Sequence, residues 1–390
     1  MPEILIFSLL LLPIAVATGW YLARRARPAA TSNPAVSADY LRGLGYLAND
    51  DADRAIQVFV RLLEVDQETV EIHLALGNLF RRQGEVDRAL RIHQNLVARP
   101  NLSDQHRNQA RFELARDYLR AGMLDRAEDL LKELAEQASF REQALTGLIS
   151  IYEQQRDWQQ AIDTTRQLEA NRGQSLRAVI AQYFCELADT ARRQRDYPTA
   201  TRYLREAYGA YHECVRSSLM RGEIDEAEGN FENAQRHYRR VAEQDIEFVG
   251  EILEPLSRVY ERLGQTAGWQ AYLEDLAQRY DGPAPRIAMA QLLLQQGELQ
   301  RARDYLSAEL QKQPSWIGLS HLMQLEPADP ASGEPALVSL KAALKRVTEA
   351  SPRYQCGHCG FHARSLYWQC PGCRQWNCVT PLKDVVPKIV

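Results

Sequence analysis

The sequence predicts an all-α protein, a superhelix of repeated helix pairs preceded by a membrane-spanning helix and closed by a small metal-binding domain. Three observations carry this. Ile4 to Leu22 is a run of 19 residues without a charge. Downstream, a small residue is followed twelve positions later by Ala again and again, in units often 34 residues apart. Near the C-terminus, Cys356, Cys359, Cys370 and Cys373 are spaced C-x₂-C-x₁₀-C-x₂-C. The chain therefore divides into an anchor over residues 1–23, a linker over 24–36, repeats over 37–350 and a metal-binding domain over 351–390.

As a helix the uncharged run spans about 28 Å, close to a bilayer's hydrocarbon thickness. Pro13 falls mid-span, which a transmembrane helix tolerates better than a soluble one. Trp20 and Tyr21 lie where an interfacial aromatic belt would, and Arg24, Arg25 and Arg27 follow. The basic side stays in the cytoplasm, so the remainder of the chain is expected there, at the inner face of the membrane. A cleaved signal peptide is the competing reading, because Ala15-Val16-Ala17 mimics a cleavage site. Against it, the n-region carries Glu3 and no Lys or Arg. The stretch after the arginines (PAATSNPAVS) has the composition of a flexible tether.

The small-residue and Ala positions are Gly43/Ala55, Gly77/Ala89, Ala115/Ala127, Ala188/Ala200, Gly222/Ala234 and Ala290/Ala302. Ile149/Ala161 fits less well, and Ser257/Trp269 departs at the Ala position. An aromatic falls three after the small residue in Tyr46, Phe80, Tyr118, Tyr152 and Tyr260. A Leu falls seven after the Ala in Leu62, Leu96, Leu134, Leu168 and Leu276. Small residues let two antiparallel helices approach, and the aromatics and leucines fill the space between pairs. Gly84, Gly122, Gly229, Gly264 and Gly297 fall at the turns, where a helix C-cap needs positive φ. A helix–turn–helix period of 34 residues resembles the tetratricopeptide repeat, in about eight units.

That resemblance implies a concave face, lined by the first helix of each pair, which binds other proteins. Residues one, four and five after each small residue should lean toward it. They include Arg81, Arg82, Arg116, Arg120, Arg192 and Arg193 early on, and Glu223, Glu226, Glu254 and Glu261 later. The expectation is a groove with a basic N-terminal half and a more acidic C-terminal half; solvated surface charge is the plainer alternative.

Two facing C-x-x-C pairs can close a tetrahedral S₄ site around one ion, which suits zinc or a mononuclear iron. Two disulfides are the alternative, but reduced thiolates belong in the cytosol, in agreement with the anchor's orientation. Four protein ligands leave no position for substrate or water, so the site holds a fold together or at most passes an electron. A segment this short cannot build a sufficient core of its own, and the ion supplies much of its folding energy. Cys185 and Cys214 read as small buried hydrophobes within repeat helices, and Cys378 as a packed free thiol. His358 and His362 flank the thiolates, yet four cysteines suffice without them.

The sequence contains no nucleotide-binding P-loop, nucleophile elbow, zinc-protease or dinucleotide-binding motif, and an enzyme is not expected. Histidines 73, 93, 106, 212, 237 and 321 are scattered, as surface or packing residues. A net charge of −4 gives no reason to expect nucleic acid.

An N-terminal anchor, the repeats, and the segments YQCGHCGF (Tyr354 to Phe361) and YWQCPGC (Tyr367 to Cys373) together resemble the lipopolysaccharide assembly protein B family of Gram-negative bacteria. The likeness extends over essentially the whole chain. It implies a rubredoxin-like terminal domain with Cys356, Cys359, Cys370 and Cys373 as ligands, and Trp376 at a family tryptophan position. It also implies an adaptor or scaffold that regulates lipopolysaccharide synthesis at the inner membrane. As partners it implies a membrane-anchored AAA+ protease, the lipid A pathway deacetylase whose degradation is promoted, and other lipopolysaccharide synthesis or transport proteins; a homo-oligomer is open. An electron carrier on a repeat scaffold and a periplasmic repeat-protein chaperone are the alternatives. The metal domain is expected either to pack back on the last repeats or to contact a partner itself.

Overall fold

The computed structural model describes residues 70–325 and 335–384, with helical positions Arg42, Tyr46, Arg54 and Val58 before them. The anchor expected at residues 4–22 and the first unit's Gly43/Ala55 and Leu62 lie outside the described residues. No helix among the described residues is long and apolar enough to cross a membrane. The chain forms two compact units, one up to Ala144 and one from Leu145 onward.

The first unit holds α1 (Val70–Gln83), α2 (Val86–Val97), α3 (Asp104–Arg120), α4 (Leu124–Ala135) and the first turn of α5 (Arg141–Gln155). Consecutive helices pack as pairs, and the repeat pattern explains why. Gly77 on α1 faces the His93 ring on α2 so closely that a Cβ there would lie 2.4 Å from it. Ala89 and Ala127 are fully buried at the partner positions, and Phe80 and Tyr118 fill the core beside them. Gly84 and Gly122 end α1 and α3 at φ of 84° and 74°, as the turn requires. Ser103 caps α3, its hydroxyl accepting from the His106 amide.

The second unit continues the pattern. Its helices after α5 are α6 (Trp158–Arg172), α7 (Arg177–Arg193), α8 (Tyr197–Ala210), α9 (Val215–Ala227), α10 (Phe231–Gln244), α11 (Val249–Arg262), α12 (Thr266–Arg279), α13 (Ala284–Gln295), α14 (Leu299–Lys312), α15 (Trp316–Leu325) and α16 (Pro335–Ala350). A 3₁₀ turn, Ile246–Phe248, leads into α11. Ala161, Ala200, Ala234 and Ala302 are fully buried. Gly222 makes room for the Tyr238 ring, which a Cβ would approach to 2.4 Å. Where the expected Ala gives way to Trp269, the larger ring is buried against Tyr260 and Tyr272. The turns within the α5/α6 and α7/α8 pairs lack glycine, and there Arg156 and Arg195 adopt φ of 59° and 62°. Each is followed by an Asp that caps the next helix, Asp157 accepting from Gln160 and Asp196 from Thr199.

Burial inside a helix pair also sets one pH response. His237 on α10 is pushed down to about 4 by burial and by Arg221, Arg240 and Arg236. Since its unfolded value is about 6.5, the neutral ring is favoured by folding. The corresponding stability is complete above pH ~6.5 and is lost as pH falls through about 4. Asp225, 3.4 Å away, has its carboxyl pushed up by burial and acts in the opposite sense. The His237 contribution is therefore read as a difference. In urea melts between pH 7 and pH 4, His237→Gln should lose less stability than the wild type; parallel curves would exclude the effect.

After α16 the chain turns into a three-stranded antiparallel sheet, β1 (Tyr354–Cys356), β2 (His362–Ala363) and β3 (Val379–Pro381), in the order β2-β1-β3. Tyr354 pairs with Ala363 and with Pro381, and Cys356 pairs with Val379.

Candidate metal centre

Each C-x-x-C segment forms a tight knuckle. In the first, the Gly360 amide donates to the Cys356 carbonyl at 3.0 Å and the Cys356 amide to Phe361 at 2.8 Å. The turn closes because Gly360 adopts φ of 74°, and the Cys359 amide points at Cys356 Sγ, 3.5 Å away. The second knuckle repeats this. Arg374 donates to Cys370 at 2.8 Å, Cys370 to Gln375 at 2.9 Å, and Arg374 takes the left-handed position at φ of 58°.

The knuckles face each other across the sulfurs. Cys356 Sγ lies 3.8 Å from Cys373 Sγ, and Cys359 Sγ 3.7 Å from Cys370 Sγ. A tetrahedral ion with metal–sulfur bonds of about 2.3 Å has sulfur–sulfur edges of about 3.8 Å. Gly372 packs beside the sulfurs, where a Cβ would lie 3.4 Å from Cys359 Sγ, an ordinary contact. The sulfurs of Cys356, Cys370, Cys373 and Cys378 lie within 4.8 Å of one another and Cys359 Sγ lies against Cys370, a thiol cluster that suits a closed S₄ site for a thiophilic ion such as zinc. Cys356 and Cys370 are buried, Cys373 is half-buried and Cys359 is exposed. His358 and His362 are exposed. Cys378 is where the structure adds something: its Sγ sits 3.4 Å from Cys356 Sγ and donates to the Gln375 carbonyl at 3.2 Å.

The module is docked along the second unit's helices, and more widely than on the last repeats alone. Trp376 is the anchor. Its ring stands edge-on to Trp158 and Tyr183, at 6.1 and 5.6 Å. Its indole N–H donates to Glu153 at 2.6 Å, a carboxylate that also accepts from Tyr183 at 2.6 Å. Burial, then Glu153, pushes the Tyr183 phenol well up, so it remains a donor. Trp368 stacks on Phe248 at 5.8 Å beneath the Arg216 guanidinium. Gln182 donates to Asn377 at 3.2 Å. Tyr354 donates to Glu251 at 2.8 Å, and burial holds that carboxyl above its usual range. At the far end Asp384 caps α15, accepting from the Trp316 and Ile317 amides at 2.8 and 3.1 Å. Helices α5, α7, α9, α11 and α15, first members of their pairs, all take part. The sequence marks Trp376 and the packing of the module on the repeats, but not the partners of these contacts, because each joins positions far apart in the chain.

The charges expected to line a groove fall on both units. In the first, Arg81 is buried, paired with Glu113 at 2.5 Å and Asp117 at 2.7 Å, and it forms part of the core. Arg82 and Arg120 are exposed, and Arg116 pairs with Glu113 at 3.2 Å. In the second unit, Arg192 bridges to Glu223 at 3.2 Å while Arg193 pairs with Asp189 at 2.7 Å. Glu226 and Glu254 both hold Arg258, at 3.0 and 3.1 Å. Glu254 and Glu261 line a cleft of about 650 Å³ beside Tyr354 and Arg353 of the metal module. Cys185 is buried inside α7 as expected, whereas Cys214 precedes α9 as its N-cap, their sulfurs 3.8 Å apart.

Paired helices in tandem with a docked four-sulfur module define a tetratricopeptide-repeat protein with a rubredoxin-type metal-binding domain. Family models agree: tetratricopeptide repeats match residues 40–101, 112–175, 185–247 and 283–306, and a rubredoxin metal binding domain matches residues 354–381. Lipopolysaccharide assembly protein B of Escherichia coli (strain K12) is 36% identical over 380 residues, covering 96% of this chain and 98% of the relative. The protein of the same name from Haemophilus influenzae is 33% identical over 388 residues, with the same coverage. The chain belongs to the lipopolysaccharide assembly protein B family. Among solved structures, a tetratricopeptide repeat protein from Parabacteroides merdae covers 79% of this chain and 97% of its own, at 13% identity and a TM-score of 0.29.

Proposed function

We propose that this protein acts in lipopolysaccharide assembly as an adaptor anchored at the inner membrane by residues 1–23, with its repeats on the cytoplasmic side. The observation that supports the assembly role most is the relationship over 96% of the chain to proteins named for it, spanning both repeats and metal module. The chemistry of the centre favours a scaffold over a catalyst, because four sulfur ligands leave no coordination position for water or substrate. In this reading the adaptor presents the lipid A pathway deacetylase to a membrane-anchored AAA+ protease and gathers other synthesis proteins nearby. The exposed charges of the first helices, Arg82, Arg120, Glu254 and Glu261 among them, are the proposed contacts. A membrane tether supports such a role by raising the effective concentration of adaptor near a membrane protease without tight binding.

The test is depletion of the protein in its host, followed by the deacetylase half-life after synthesis is blocked. A lengthened half-life with raised lipopolysaccharide is expected. An unchanged half-life would remove the protease-adaptor role, and unchanged lipopolysaccharide as well would remove the assembly role.

A further inference from the structure

The metal centre holds one thiol more than a tetrahedral ion needs. Cys378 belongs to neither C-x-x-C pair, yet the sulfurs of Cys356, Cys370, Cys373 and Cys378 all lie within 4.8 Å of one another. The Cys356–Cys378 separation of 3.4 Å is already close to the edge of an S₄ tetrahedron. This placement is built by the backbone. Arg374 and Asn377, both at φ of 58°, curl the chain back after the second knuckle. The Gly357 amide then donates to the Cys378 carbonyl at 2.7 Å, and Val379 pairs with Cys356 in the sheet. Cys378 is thus fixed at the mouth of the first knuckle whichever way its side chain points. Its thiol now rests on the Gln375 carbonyl, and a χ1 rotation is the only movement that side chain has for turning toward the other sulfurs.

The cysteine left out of that compact set is Cys359, which is also the exposed one. We propose that Cys378 is a reserve ligand that replaces Cys359, so that the centre has two four-sulfur ligand sets sharing Cys356, Cys370 and Cys373. In the exchange the Cys359–metal bond breaks and the Cys378–metal bond forms. The proton lost by Cys378 passes through solvent to the released Cys359 thiolate, so the charge of the centre is unchanged. The consequence is a clasp that keeps its ion, and keeps Trp376 and Trp368 docked, after losing its most accessible ligand.

The test uses the full-length protein and its Cys359→Ser, Cys378→Ser and Cys359→Ser/Cys378→Ser variants, loaded with Co²⁺ for spectroscopy and Zn²⁺ for chelator competition. The intensity of the sulfur-to-cobalt charge-transfer band reports the number of thiolates. Both single variants are expected to show four thiolates and zinc affinities within about tenfold of wild type. The double variant is expected to show three, with zinc affinity at least about 100-fold below either single variant. A Cys359→Ser protein with three thiolates, or one that binds zinc no better than the double variant or fails to take up metal, would overturn the proposal. Identical behaviour of Cys378→Ser and wild type is required by the proposal, since Cys359 then fills its ordinary place.

Discussion

Removing the ion from the full chain with a strong chelator at neutral pH is expected to unfold residues 354–381 and release them from the second unit. The sheet consists of strands of three, two and three residues, with few buried apolar side chains beyond Tyr354, Ala363 and Val379. A core of that size cannot offset the ordering entropy of its own backbone. Structural zinc in comparable small sites contributes about 10–16 kcal/mol, nearly all of it folding free energy. Without it the two knuckles have no reason to face each other, and Trp376, placed by the second knuckle's turn, loses its position. Detachment then strips Glu153 of the Trp376 indole and Glu251 of the Tyr354 hydroxyl. It also leaves the first amides of α15 without their Asp384 cap, at a cost of about 1 kcal/mol. Hydrogen exchange and limited proteolysis of residues 351–384, with tryptophan fluorescence, would follow the release. Helical circular dichroism should change little, because the repeat core is made by helix pairs. Unchanged protection of Tyr354–Cys356 after complete metal removal would show that docking alone holds the module.

The parts of this molecule that are legible in its sequence are those made by local repetition. Gly77, Gly222 and the buried alanines sit where helices of one pair touch, so their spacing discloses the pairs directly. The glycines at positive φ disclose the turns, but Arg156 and Arg195 do the same work with only a cost of about 1 kcal/mol in strain, and nothing in their identity marks them. The two C-x-x-C knuckles are legible because their geometry demands a short fixed spacing. Cys378 reaches the same centre through sheet register, which no spacing rule encodes. Arg81 shows the opposite failure. Its register on the first helix suggested a groove, whereas its partners Glu113 and Asp117 lie 32 and 36 positions on, on the first helix of the next pair. A charge facing the next repeat and a charge facing a ligand have the same sequence signature, and only packing distinguishes them. The Trp376 pocket was hidden for a related reason, because Glu153 and Trp376 are 223 positions apart.

That buried network should make Asp117→Ala the most damaging single substitution in the first unit. Asp117 has no solvent exposure, and its two oxygens divide between Arg81 Nη1 at 2.7 Å and His93 Nδ1 at 2.5 Å. Truncation takes the carboxylate from both at once. Arg81 keeps Glu113, but His93 is enclosed against Gly77 and, among the described residues, has no other polar partner for Nδ1. Breaking a buried ion pair by deleting one member costs about 3–5 kcal/mol, because the remaining charge cannot regain its hydration. Asp117→Asn separates charge from hydrogen bonding: its amide oxygen can still accept from one donor, so the loss should be smaller than for Ala. Hydrogen exchange of the α1 and α3 amides measures this locally, free of the assumption that a chain with two compact units unfolds in one step. The expected order is wild type, then Asn, then Ala. A loss below about 1 kcal/mol for Asp117→Ala would mean that water enters and replaces the carboxylate. The first helices of the two pairs would then be tied chiefly by apolar packing and the remaining Arg81–Glu113 pair, with Asp117 contributing little to that contact.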